Sequence, residues 1–200
     1  MLDRVASLFG QSVAASVLEP TLELAVEIAR EGREGRRIGT LFTVGDSDAV
    51  LGCSQPLILD PLAGHSDQQR QITNANLRGT VKELAQLDGG FVVAHDGTVV
   101  AACRYFDSRA AGLDLPFALG TRHLAAAAIS KVTRAVAVVV SETATVRIFH
   151  EGQLVAEIIP ELWLLSQFTS YLAAPIHTER IANLAIVTRG ASPPGAEAEP

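Results

Sequence analysis

Residues 120–142 read GTRHLAAAAISKVTRAVAVVVSE. A glycine and a threonine precede an arginine and a histidine, then four alanines and an isoleucine. The alanine run predicts a tightly packed helix over Thr121–Thr133. The apolar stretch Ala135–Val140 that follows predicts a strand buried on both faces, as a central strand is. A buried strand joined by a short turn to a small-residue helix is the signature of a layered α/β domain.

The same pattern continues outward. Pro20–Arg33 carries Leu22, Ala25, Val26 and Ala29 at helical spacing, with Gly32 and Gly35 as stops. Arg37–Val44 reads as a buried strand closed by Gly45-Asp46, and Ala49–Cys53 as a short strand. Residues 54–76 form a long connection rich in Pro, Gly and polar groups, and long loops in compact domains are often functional. A helix is expected at Leu77–Leu87. Two strands, 90–94 and 98–106, flank His95-Asp96-Gly97, a strong hairpin signal. A second hairpin, 145–150 and 153–159, turns at Glu151-Gly152. A helix near Glu161–Ala173 and a strand near Ile181–Val187 complete the reading. The expectation is one α/β domain with a mixed, mostly buried β-sheet flanked by helices. Its expected layout is a helical or flexible lead (1–19), the domain proper (20–189) and a disordered tail (190–200) without apolar periodicity.

Bulk properties exclude some functions. Two hundred residues suit one domain with a real core. Aromatics are only 5% of the chain, so that core is aliphatic. A net charge of −6 argues against a sequence-independent nucleic-acid binder, which needs a basic face. It leaves room for a small anionic ligand in a local positive pocket. No apolar run approaches the ~18 residues of a membrane span, and the N-terminus is not shaped like a signal peptide. A cytoplasmic protein with no membrane partner is expected. Cys53 and Cys103, fifty residues apart, read as two buried reduced thiols.

Familiar catalytic signatures are missing: no phosphate-cradling GxxxxGK[ST] loop, no GxGxxG and no GxSxG. The five histidines lie 27 or more residues apart, so none forms a local zinc pair. Three segments carry the candidate chemistry. Asp88-Gly89-Gly90 places a carboxylate at a strand's edge beside glycines that admit close approach; alone, it is an ordinary turn. Gly120-Thr121-Arg122-His123 opens a helix. Thr121 is a good N-cap, the first-turn amides attract anions, and Arg122 adds a fork suited to phosphate. An arginine there opposes the helix dipole and wants a reason, although a capped helix with a surface arginine is an equal reading. Ser141-Glu142 ends the most buried strand, where ligands of α/β sheets collect; a polar exit from a strand would look the same.

Taken in order and spacing, these segments resemble the diadenylate cyclase domain family, also called the DisA N-terminal nucleotide-binding domain. The family pattern is Asp-Gly-Ala, then Arg-His-Arg about thirty residues on, then Ser-Glu after a Val-rich strand. Here they stand as Asp88-Gly89-Gly90, Arg122-His123-Leu124 and Ser141-Glu142. The stretches 29–46, 87–107 and 120–142 resemble the family along their length, and the likeness covers about residues 20–155. The chain departs at Gly90, at Leu124, where a cation is expected, and at Thr143, where others often carry a second Glu. The apolar residue at 124 resembles an archaeal-type branch.

The resemblance implies an enzyme, a nucleotidyltransferase that joins two ATP into cyclic di-AMP and releases two pyrophosphates. It implies Asp88 near the 3′-hydroxyl, with Arg122 and His123 completing the catalytic set. Gly89, Gly90, Tyr105, Gly120, Thr121, Ser141 and Glu142 would bind nucleotide, with Tyr105 at the adenine. Asp88 and Glu142 would hold Mg2+ or Mn2+. One domain holds one ATP, so a homo-oligomer with two domains face to face is implied. Two rivals remain. One is an inactive sensor of adenine nucleotide or cyclic di-AMP, favoured by Leu124. The other is a ligand-free assembly subunit in which Arg122 and Glu142 merely pair.

Overall fold

The computed structural model describes residue 9, residues 12–107 and 120–160, and the backbone of 176–181 and 184–189. The chain divides into two compact units, 1–158 and 159–200. The first unit contains α1 (Ala15–Glu31), β1 (Thr40–Val44), α2 (Ser47–Gly52), β2 (Ser54–Pro56), α3 (Ala75–Leu84), β3 (Gly90–Val93), β4 (Val99–Phe106), α4 (Thr121–Val132), β5 (Val136–Val140), β6 (Val146–His150) and β7 (Gln153–Ile158). In the second, β8 (Ile176–Ile181) and β9 (Leu184–Arg189) form an antiparallel hairpin.

The seven strands of the first unit form one mixed sheet in the order β2-β4-β3-β1-β5-β6-β7. Only β1 and β3 run parallel; the other neighbours are antiparallel. The expected mixed, buried sheet is therefore present. β1 and β5 are buried at every residue, which is why both are apolar with only threonines between. Side chains alternate between the two faces. Leu41, Val92, Ala137, Val139 and Phe149 join Ala126, Ala127 and Ile129 of α4 in one cluster. Phe42 and Phe91, paired in register on the other face, stack with ring centroids 5.1 Å apart. α1 contacts β1, β5 and β6 and brings Leu18, Leu22, Ala25 and Ala29, all buried, to the sheet. Ion pairs strap α3 onto α1: Arg78 to Glu27 at 2.7 Å, Lys82 to Glu31 at 2.9 Å, and Arg33 to Glu83.

Both hairpins form as expected. Gly97 adopts φ +85° while Asp96 accepts from the Thr98 amide, and Glu151 and Gly152 both take positive φ, the conformation of a tight primed turn.

Four expectations are corrected. Ala49–Cys53 is not a strand; Ser47–Gly52 is a helix. Asp46, at φ 43°, turns the chain into it, and its carboxylate accepts the Arg134 amide at 2.8 Å. A run as short as Ala-Val-Leu cannot show a period, while Ser47 and Asp48 are helix-start residues. α1 begins five residues before Pro20, which lies inside it and offers its carbonyl to Arg78. Cys53 is exposed, whereas Cys103 is buried as expected; both are free. The expected last strand is two strands, β8 and β9. The helix expected at 161–173 and the tail at 190–200 lie outside the described residues. Among the described residues, no helix is long and apolar enough to cross a membrane.

Phe42, fully buried in the central strand, tests this core. Phe42→Ala is expected to cost about 3–5 kcal/mol in chemical denaturation. Leu59→Ala, at a side chain 95% exposed, should change stability by less than about 0.5 kcal/mol.

Candidate functional site

The three candidate segments meet at one end of the sheet. Register explains why: Thr40 opposes Val140, and Gly90 opposes Arg104, so the start of β1, the end of β5 and the start of β3 share an edge. The N-terminus of α4 arrives at the same edge. Two cavities open there. One, of about 450 Å³, is lined by Gly120, Thr121, Arg122, His123, Val140, Ser141, Glu142, Thr143 and Arg147. The other, of about 570 Å³, has Asp88, Gly89 and Arg104 beside Leu41, Leu57, Tyr105, Phe106 and Ala125. Thr121 and Arg122 line both.

Arg122 links all three segments. Its guanidinium lies 3.1 Å from Glu142 Oε1 and 3.7 Å from Asp88 Oδ1. Both carboxylates are largely exposed, so these pairs contribute little to stability. They leave the charges where a ligand can compete for them. The pairing required by the assembly-subunit reading exists, but it sits on the shared rim of two cavities.

Each carboxylate is placed by local geometry. Gly89 adopts φ +95°, and a Cβ there would stand 2.8 Å from the Arg104 carbonyl, so only glycine turns the chain between Asp88 and β3. Gly90 is as constrained: a Cβ would meet the Leu41 carbonyl at 2.4 Å. Glycine at this position is thus required by the approach of β1 and is not a neutral exchange for alanine in this chain. Beyond β5, the Ser141 hydroxyl is 2.9 Å from that of Thr143 and accepts the Thr143 amide, fixing the turn that carries Glu142.

The cap of α4 differs from expectation. Gly120, not Thr121, is the N-cap, because its carbonyl already accepts the amides of His123 and Leu124. No side chain caps this end. Thr121 becomes the first helical residue, its position on both cavity walls unchanged. The Thr121 and Arg122 amides, ahead of those of His123 and Leu124, have no partner within the helix, and such amides favour an anion.

His123 reaches the wall of the smaller cavity but is largely buried. It is 7% exposed, packs edge-on to Phe149, and its Nε2 lies 3.0 Å from Arg147 Nη1. Since arginine can only donate, Nε2 accepts and the ring proton sits on Nδ1, which is buried without a hydrogen bond. Burial first, and then the Arg147 charge, hold the imidazole below its ordinary value of 6.5; the Gly120 carbonyl and Glu157 oppose this without overcoming it.

Tyr105 is 44% exposed and lines the larger cavity together with Leu41, Leu57 and Phe106. Leu124 lines neither cavity.

Two residues escaped the sequence. Gly39, just before β1, lies under the ion pair: a Cβ there would come within 2.8 Å of Arg122 Nη1 and 3.3 Å of Glu142 Cγ. A glycine leading a buried strand was its signal. Arg147, inside a hairpin strand, gave none.

Asp88 and Glu142, on either side of Arg122, and the Ser141 and Thr143 hydroxyls offer oxygen donors only. That suits Mg2+ or Mn2+, which bind through one or two carboxylates completed by phosphate oxygens. Among the described residues, no group of three or more His, Cys, Asp or Glu could hold a metal alone.

The chain is similar to known proteins over most of its length. Residues 27–154 match the family described as DisA bacterial checkpoint controller nucleotide-binding. A diadenylate cyclase of Methanocaldococcus jannaschii is 45% identical over 149 residues, 74% of this chain and 47% of that protein. A diadenylate cyclase of Haloferax volcanii is 38% identical over 166 residues, 82% of this chain and 60% of that protein. The chain thus spans about half to three-fifths of the length of these relatives. A crystal structure of DacA from Staphylococcus aureus, a double cysteine mutant, shares the fold with a TM-score of 0.52 at 23% identity, over 76% of this chain and 94% of that one. A hypothetical membrane spanning protein from Bacillus cereus does so at 0.50 and 19%, over 74% and 65%. The chain belongs to the DisA-type nucleotide-binding, or diadenylate cyclase domain, family.

The buried histidine yields a pH test. Its folded value lies below the unfolded one, so the unfolded chain takes up the proton first as pH falls. Its contribution to stability is complete above about pH 6.5 and is lost below it. Nuclear magnetic resonance should show the His123 ring more than half neutral at pH 6.5. The melting temperature should fall from pH 7 to pH 5 more steeply for the native chain than for His123→Gln.

Proposed function

We propose that this member of the family is a diadenylate cyclase, condensing two ATP into cyclic di-AMP with release of two pyrophosphates. The observation that carries the reading is Arg122 at the mouth of α4, holding Asp88 and Glu142 on the rim shared by the two cavities. The cavities divide a nucleotide between them. Leu41, Leu57, Tyr105 and Phe106 suit the flat apolar base. Helix amides, Arg122 and the Ser141 and Thr143 hydroxyls suit the phosphates.

Asp88 stands at the nucleoside end of Arg122 and orients or deprotonates the 3′-hydroxyl. That oxygen bonds to the α-phosphorus of the second ATP as the bond to the bridging oxygen of pyrophosphate breaks. A second such transfer closes the ring. Phosphoryl transfer needs positioning and charge stabilisation more than covalent help. Thr121 and Arg122 supply these from the helix mouth, and Gly89 lets the nucleotide approach the backbone. Arg122 exchanges its carboxylate partners for phosphate oxygens, which frees Asp88 and Glu142. When bound to them, Mg2+ or Mn2+ offsets charge on the transferring group. A single domain presents one such site, so turnover requires two domains face to face.

The direct test is to incubate the protein with ATP and Mn2+ or Mg2+ and separate the products by chromatography. Cyclic di-AMP is expected. Its absence at concentrations where the protein is oligomeric would sink the cyclase reading, and ATP binding without turnover would leave a sensor. Asp88→Asn should lower turnover by about a hundredfold or more while ATP affinity stays within about threefold. Arg122→Ala should weaken ATP binding by about tenfold or more, as loss of a charged hydrogen bond does.

Gly39→Ala gives an independent check. The added methyl meets the movable tip of Arg122, so stability should change by less than about 1 kcal/mol. ATP affinity, by titration calorimetry, should nonetheless fall.

A further inference from the structure

The smaller cavity contains a second arginine that the motif pattern does not include. Arg147, on β6, lines it together with Arg122 of α4. Its side chain is 19% exposed. Nη1 donates to His123 Nε2 at 3.0 Å, and Nη2 lies 2.7 Å from Glu157 Oε1, its cross-strand neighbour on β7. A cross-strand ion pair accounts for Glu157. It does not account for a guanidinium on the cavity wall that also bonds His123, a buried histidine of α4.

We infer that Arg147 is a further phosphate-binding residue of this site, gripping the terminal, pyrophosphate end of the triphosphate together with Arg122. The inference rests on the nucleotide reading above and names a residue that reading does not use.

Three observations carry it. The cavity is where the anionic groups belong: its wall combines the first turn of α4, two arginines and the hydroxyls of Ser141 and Thr143, against one carboxylate, Glu142. The other cavity, lined by Leu41, Leu57, Tyr105 and Phe106, is the place for the nucleoside. Arg147 is also pre-positioned. Its two partners anchor one terminal nitrogen each, and a guanidinium carries five N–H donors, so donors remain for phosphate oxygens without loss of either anchor. Finally, the cation expected at position 124 is a leucine on neither cavity wall, while Arg147 is on one.

The test is calorimetric titration of the full chain, in Mg2+, with inorganic pyrophosphate, ATP and adenosine. Arg147→Gln should weaken pyrophosphate and ATP by about tenfold or more while adenosine affinity stays within about twofold. Arg147→Lys, which keeps the charge, should recover part of the loss. Glu157→Gln, which breaks the same ion pair, should bind pyrophosphate at least as tightly as the native chain. Unchanged pyrophosphate and ATP binding in Arg147→Gln would overturn the inference. So would equal loss of all three ligands, or a Glu157→Gln variant as impaired as Arg147→Gln, since both outcomes mark a structural pair. A native chain that makes cyclic di-AMP while Arg147→Gln matches its ATP and pyrophosphate affinities sinks this inference alone. A native chain that binds neither ATP nor pyrophosphate sinks the nucleotide reading with it.

Discussion

The seating of α4 on the central strands is the contact on which the site depends. Ala126, Ala127 and Ile129 are fully buried against Leu41, Ala137 and Val139. Alanine adds no bulk between helix and sheet and has the best helix propensity. The helix therefore lies along β1 and β5, and its first turn ends where β5 ends. Its mouth, the Ser141-Glu142 turn and the Asp88-Gly89 turn converge only because the strands that carry them are held in register beneath that helix.

Opposing constraints act at this edge. Gly39, Gly89 and Gly90 keep side chains out of a crowded corner where backbone and guanidinium already fill the space. The charged groups around them are left in water. Rigid backbone with solvated, exchangeable charge is what an anion site needs: the positions are prepaid, and weak surface ion pairs are easily given up to a stronger partner.

Much of this was legible in the chain. The uninterrupted Val136–Val140 run announced a central strand, and Asp96-Gly97 and Glu151-Gly152 announced their hairpins. The misreadings have local causes. Ala49–Leu51 is too short to separate helix from strand, and Pro20 looked like a start because its cost inside a helix is usually prohibitive. Thr121 looked like a cap by residue type, yet the Gly120 carbonyl began the helix first. Within the site, Asp88, Arg122 and Glu142 were found because each sits in a short patterned segment. Arg147 sits in an ordinary alternating strand, where an arginine looks like any solvated face residue, and Gly39 looks like any glycine before a strand.

By itself, then, the sequence determined the elements and the chemical inventory: apolar period decides strand and helix, and glycine-flanked charged residues mark the turns at their ends. Tertiary structure decided which of those residues share a site and in what state. Arg122 faces two carboxylates distant from it in the chain, His123 is buried and neutral under Arg147, and Leu124 is turned away from both cavities. The reason is physical. Periodicity is a property of neighbours along the chain, whereas ion pairing, desolvation and cavity walls depend on strand order and register, which bring together residues that no local pattern connects.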